Sequence, residues 1–113
     1  MQFSITEGLL KSKTKLFRRA CREHDIELFY TECLDLLARC YGYKSYYDFR
    51  RYTGDGNKLS SFDDDVSWQE MKDRFLQQRA VLVSAGFSID VANDILEQVR
   101  PTGRAPKRPP PTE

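Results

Sequence analysis

Few side chains in this sequence are suited to chemistry: one histidine, His24, three cysteines, Cys21, Cys33 and Cys40, and an acidic triplet, Asp63-Asp64-Asp65. Three thiolates and an imidazole make a familiar zinc donor set. Positions 21, 24, 33 and 40 nevertheless fit no zinc-binding spacing, and no CxxC pair is present. Each cysteine falls on or beside an apolar helix face, so buried, reduced thiols are expected, and no metal. The triplet lacks the liganding alternation of an EF-hand loop. It lies just ahead of a helix start, where acids complement the helix dipole, and reads as a solvated acidic approach. His24 stands beside Asp25, but no serine or cysteine occupies a nucleophile-elbow context, and there is no phosphate-binding glycine loop and no HExxH. A non-enzymatic protein without a cofactor is expected.

The cations are more informative. Lys11, Lys15, Arg18 and Arg22 recur at i, i+4, i+7 and i+11, which places them in one stripe along a helix. With no acid between them they repel one another by a few tenths of a kcal/mol per pair, a cost that a partner's phosphates or carboxylates would relieve. Arg50 and Arg51, and then Arg104, Lys107 and Arg108, extend this basic set. The formal charge is only +1, but residues 1–56 carry ten Lys and Arg against eight Asp and Glu, residues 57–99 four against eight, and residues 100–113 four against one. The balance falls short of a strongly basic nucleic-acid domain, so DNA and a protein are both candidate partners. The acidic set Asp90, Asp94 and Glu97 complements the basic stripe, which makes a homodimer a candidate arrangement.

The elements that must position these residues follow from periodicity. A first helix is expected from Ser4 or Thr6 to about His24. Ser4 and Glu7 match a capping box, and Leu9, Leu10, Leu16, Phe17, Ala20 and Cys21 share the apolar side. Lys13 falls on that side too, where its stem would carry the charge outward. A second helix runs from about Thr31 to Gly42, with Leu34, Leu37, Ala38 and Tyr41 inward and Gly42 as a left-handed stop. Ser45 caps a short third helix, about Tyr46 to Tyr52, with Tyr46 and Phe49 inward. TGDGN breaks the chain, and Ser67 with Glu70 opens a fourth helix whose inward face would be Trp68, Met71, Phe75 and Leu82, ended by Gly86. Ser88 caps a fifth, with Ala92, Ile95, Leu96 and Val99 inward. The expected fold is all-α, about five short helices. Residues 1–56 form a basic three-helix module, 57–66 a linker, 67–100 a helical hairpin packed on the module, and 101–113 a disordered basic tail with polyproline character. No apolar run reaches the ~20 residues of a membrane span. The start MQFSITEGLLKSK lacks a signal peptide's apolar stretch, so a cytoplasmic location is expected.

LARCYGYKSYYDFRR, residues 37–51, is two helices joined by a glycine turn, a helix-turn-helix skeleton. It is similar to the second reading unit of AraC-type activators, with Ala38, Gly42, Tyr43, Phe49 and Arg51 in the matching places. The resemblance implies that Lys44, Ser45, Tyr47, Asp48 and Arg51 face DNA while Tyr43 and Phe49 are core. Residues 9–49 also resemble the small helical module of bacterial proteins described as glyoxalase-related, through Leu37, Ala38, Gly42, Tyr43, Ser45 and Tyr46. That resemblance implies a compact helical module and no glyoxalase activity, since that chemistry needs a metal held by His and Glu on strands. The expected function is a small bacterial regulator binding DNA through Lys11, Lys15, Arg18, Arg22, Lys44, Ser45, Tyr47, Arg50 and Arg51. The alternative is a protein-binding adaptor or inhibitor.

Overall fold

The computed structural model describes residues 2–53 and 59–103. Among these residues the fold is all-α, with five helices: α1 (Glu7–Glu23), α2 (Tyr30–Cys40), α3 (Tyr46–Thr53), α4 (Trp68–Ser84) and α5 (Ile89–Val99). A single 3-10 turn, Asp63–Asp65, precedes α4. Most helix starts carry a side-chain cap. Thr6, Ser67 and Ser88 each accept from the backbone N–H three residues on. Thr6, rather than Ser4, opens α1, because the Ser4 backbone is paired in both directions with Ser60. α2 starts at Tyr30, one residue ahead of Thr31, and its cap is half a box: the Glu32 carboxylate accepts from the Phe29 N–H at 2.8 Å.

Three helices end alike. After α1, α2 and α4 the chain turns through a left-handed residue, Asp25 (φ 61°), Gly42 (φ 95°) and Gly86 (φ 109°). The N–H one residue later then returns to the carbonyl five back: Ile26 to Cys21, Tyr43 to Ala38, Phe87 to Leu82. These bonds satisfy carbonyls that the helix leaves open. Asp25 replaces glycine at the first of these turns because a short polar side chain tolerates that conformation better than most.

α1 packs on α2 and α5, α4 packs on α2 and α5, and α3 packs on α2. The centre holds Leu10, Phe17, Leu37, Tyr41, Leu82 and Ile95, all with almost no exposure. Phe3 joins this core ahead of α1. Its N–H bonds the Tyr41 carbonyl at 2.7 Å and its ring stacks on Tyr41, with centroids 5.5 Å apart. The stretch from Leu59 to Val66, expected to be a linker, is bound to the bundle. Ser60 pairs with Ser4, the Phe62 ring tilts against Phe3, and the Asp63 N–H bonds the Thr102 carbonyl. Residues 57 and 58 of that expectation lie outside the described residues. At the other end Pro101, Thr102 and Gly103 are buried, so the basic tail starts no earlier than 104, and its remainder lies outside the described residues.

Two burials overturn the sequence reading. Lys13 does not carry its charge outward. It is 2% exposed, and its ammonium donates to the carbonyls of Val99 (3.2 Å) and Arg100 (2.8 Å) at the C-terminus of α5. On α4 the fully buried positions are Arg74, Gln78 and Leu82, while Trp68 is 65% exposed and Met71 and Phe75 are half-buried. The expected apolar face is thus rotated towards solvent, because a polar network occupies the inside.

Candidate functional site

The site anticipated from sequence is the corner of α2 and α3 together with the outer face of α1. Leu37, Ala38, Tyr43 and Phe49 form its buried interior, and the Tyr43 and Phe49 rings meet edge to face at 5.2 Å. The start of α3 is held from three directions. The Asp48 N–H donates to Ser45 Oγ, the Lys44 N–H to Asp48, and the Tyr46 N–H to Asp35 Oδ1. The Ser45 hydroxyl and the Asp48 carboxylate are therefore occupied in capping. Lys44, Tyr47 and Arg51 are exposed, Tyr47 at 72%.

Glu7 brings the two basic groups together. Its carboxylate lies 3.7 Å from Lys11 Nζ on α1 and 3.6 Å from Arg50 Nε on α3, and it accepts the Tyr46 hydroxyl proton in a hydrogen bond. The Tyr46 bond, and then the two cations, hold the Glu7 carboxyl below its ordinary value. Burial, with that same bond second, pushes the Tyr46 phenol up to about 12. The Arg50 guanidinium also lies over the Tyr46 ring. The N-terminal end of the α1 stripe and the outer face of α3 thus share one surface.

The far end of the stripe is partly engaged. Arg18 Nε donates to the Leu28 carbonyl at 3.0 Å, and Arg22 Nε lies 3.5 Å from Glu27. Of the nine nominated residues, Lys11, Arg22 and Arg50 have carboxylate partners within the chain. All three pairs are solvent-exposed, so each is worth only about 0–1 kcal/mol and a phosphate can displace it. Lys15, Lys44 and Arg51 are exposed and have no charged partner among the described residues.

The remaining polar groups serve the fold. Cys21, Cys33 and Cys40 are buried free thiols. Burial raises the Cys21 and Cys40 thiols to about 12 and Cys33 to about 11, which leaves them as protonated, unreactive groups at neutral pH. Among the described residues no cluster of three or more His, Cys, Asp or Glu side chains is placed to hold a metal. His24 Nε2 meets Asp94 at 2.6 Å, tying the end of α1 to α5, and Gln98 bonds the same Asp94 oxygen. Asp94, one of the acidic set considered for a second copy, is thus engaged within the chain. Nor is the acidic triplet simply solvated. Asp63 accepts from Arg74 (3.1 Å) and from Thr102 Oγ1, and Asp64 pairs with Arg100 at 3.2 Å.

A second feature went unread in the sequence. Between α4 and α5 opens a cleft of about 560 Å³ whose walls include Trp68, Met71, Phe75 and Leu96, with Lys72, Glu97 and Arg100 also lining it. Lys72 Nζ sits 5.1 Å from the centre of the Trp68 ring. Helical periodicity assigned Trp68 to the core, so its exposure was hidden. The only warning was the run of Arg74 and Gln78 on the same side of the helix.

Comparison of the chain with protein-family models, with curated proteins and with solved structures finds no match. Among the described residues, no helix is long and apolar enough to cross a membrane.

Proposed function

We propose that this protein is a non-enzymatic DNA-binding regulator whose contact surface is the outer face of α3 joined to the basic stripe of α1. The observation that carries the reading is the meeting of Lys11 and Arg50 at Glu7, which brings cations of both helices together; Lys44, Tyr47 and Arg51 are exposed on the same short helix and its turn. A short helix projecting from a glycine turn, backed by a packed partner helix, suits entry into a major groove. The similarity of residues 37–51 to an AraC-type reading unit supports the same assignment, with a bacterial cytoplasm as its setting. Lys15, Lys44 and Arg51 act chiefly on phosphates, while Lys11, Arg22 and Arg50 exchange an internal carboxylate for a phosphate on binding.

The test is fluorescence anisotropy of the protein with duplex DNA at two salt concentrations. Affinity falling steeply with salt is expected, because bound cations release counterions from phosphates. Substituting Arg51→Ala or Lys15→Ala should each weaken binding to all sequences alike and lower the salt slope by about one. No binding at low salt would overturn the reading.

One observation favours a protein partner instead. Trp68, Leu76 and Val83 lie exposed along α4 beside the apolar cleft. Exposed apolar surface of this kind marks interaction sites. An adaptor role through that face is the reading to adopt if the DNA titration is flat.

A further inference from the structure

We infer that the cleft between α4 and α5 is the docking site of the chain's own proline-rich end, RAPKRPPPTE, residues 104–113. The place where the described chain stops is the first reason. Thr102 Oγ1 is bonded to Asp63 and to Gln78 Nε2, both of which line the cleft. Gly103 lies directly against Arg100, a third lining residue: a Cβ on Gly103 would fall 2.8 Å from Arg100 Nε. The described chain therefore ends beside residues that line the cleft.

Length and chemistry agree with that starting point. Ten residues at ~3.1 Å each in a polyproline helix reach about 30 Å, enough to run along the cleft. Pro106, Pro109, Pro110 and Pro111 give the segment the stiff, extended form that aromatic-lined grooves accept at low entropic cost. Trp68 and Phe75 supply the aromatic wall. Lys72 already covers the Trp68 indole on one side, yet the ring stays 65% exposed. The segment brings three cations, Arg104, Lys107 and Arg108, to a cleft lined by Asp63 and Glu97 as well as Lys72 and Arg100, in a part of the chain (57–99) that carries eight Asp and Glu against four Lys and Arg. Tethering raises the local concentration of the segment to the order of millimolar, so even a weak contact holds it in place. The cleft volume lies within the ~300–1,000 Å³ of ordinary binding pockets. The tail then competes with any external ligand for the cleft, on a face separate from the proposed DNA surface.

Trp68 is the sole tryptophan, so its fluorescence reports this cleft alone. The experiment compares acrylamide quenching and emission maximum of the full-length chain with those of the full-length triple variant Pro109→Gly, Pro110→Gly, Pro111→Gly. A docked tail predicts quenching of the variant about two-fold stronger, since an occupant shields most of a pocket's lining, and a red-shifted emission maximum. The charge variant Arg104→Glu, Lys107→Glu, Arg108→Glu should shift both readings the same way. Identical quenching in all three proteins would overturn the proposal. So would shielding that disappears on dilution, which would mean that a second copy supplies the tail. Either result leaves the DNA reading untouched, because that is tested by salt-dependent anisotropy.

Discussion

At the scale of single residues, Lys13 shows how a charge can belong to a core. Its stem lies among apolar neighbours, and its ammonium reaches the last carbonyls of α5, where the helix dipole is negative. Burial, and then the Arg100 charge, lower its pKa to about 8, with Asp63 and Asp64 acting in the opposite sense. A lysine whose folded pKa lies below its unfolded value binds fewer protons when folded, so its contribution to stability rises with pH between about 8 and 10.5. Substituting Lys13→Met should cost about 1 kcal/mol at pH 7, because two carbonyls lose their donor. The gap between wild type and variant should then widen by up to ~3 kcal/mol on going to pH 10. Urea denaturation of both proteins across that range checks this. The buried thiols and phenols titrate in the same range with the opposite sign, but they are common to both chains and cancel in the difference. A constant gap would mean that the ammonium is not desolvated as its 2% exposure requires.

At the scale of elements, one polar network fastens the segment before α4 to the end of α5. The Arg74 guanidinium donates to the Ser61 carbonyl, to Asp63 and to Glu70, and lies 4.9 Å over the Phe3 ring. Its Nε is buried without a partner among the described residues, so the site is only partly satisfied. Gln78 and Thr102 close the network on the other side. Removing the buried Arg74 leaves the largely covered Asp63 carboxylate without its cation. Arg74→Met should therefore destabilise by about 3–5 kcal/mol in chemical denaturation. The double variant Arg74→Met, Asp63→Asn should recover part of that loss, because no largely covered carboxylate then lacks its cation. The turn between α2 and α3 makes a smaller demand. Gly42 holds φ 95°, and Gly42→Ala should cost about 1 kcal/mol from backbone strain, read as a lower Tm. With α3 as the proposed contact helix, the same change should also weaken DNA binding, read by anisotropy.

At the scale of the whole molecule, the basic and apolar features occupy different helices. The cations belong to α1 and α3, and the exposed apolar stripe with its cleft belongs to α4 and α5. The two surfaces can therefore be disabled separately. Arg51→Ala combined with Lys44→Ala should lower DNA affinity while leaving Trp68 quenching as in wild type. The proline-to-glycine tail variant, which leaves the charge unchanged, should do the reverse, with anisotropy and quenching measured on the same preparations. A change that moves both readings together would mean that the surfaces are coupled through the bundle.

The local elements were legible in the sequence: the serine caps of α3, α4 and α5, the glycine stops after α2 and α4, and the inward faces of α2 and α5. Each depends on residues within a few positions of one another, so spacing alone determines them. The all-α class and the buried cysteines follow from the same periodicity. Tertiary structure decided the rest. Lys13, Arg74 and Gln78 are inside because partners 86, 11 and 24 residues away meet them, and no helical wheel contains those partners. Trp68 is outside for the same reason, since the polar network holds the inner face of α4 and turns the indole towards the cleft. The joining of Lys11 to Arg50 through Glu7 likewise depends on how α3 sits beside the start of α1. Apolar burial is non-directional and is written in periodicity, whereas a buried charge is tolerated only where distant groups converge on it, and that convergence exists only in the folded chain.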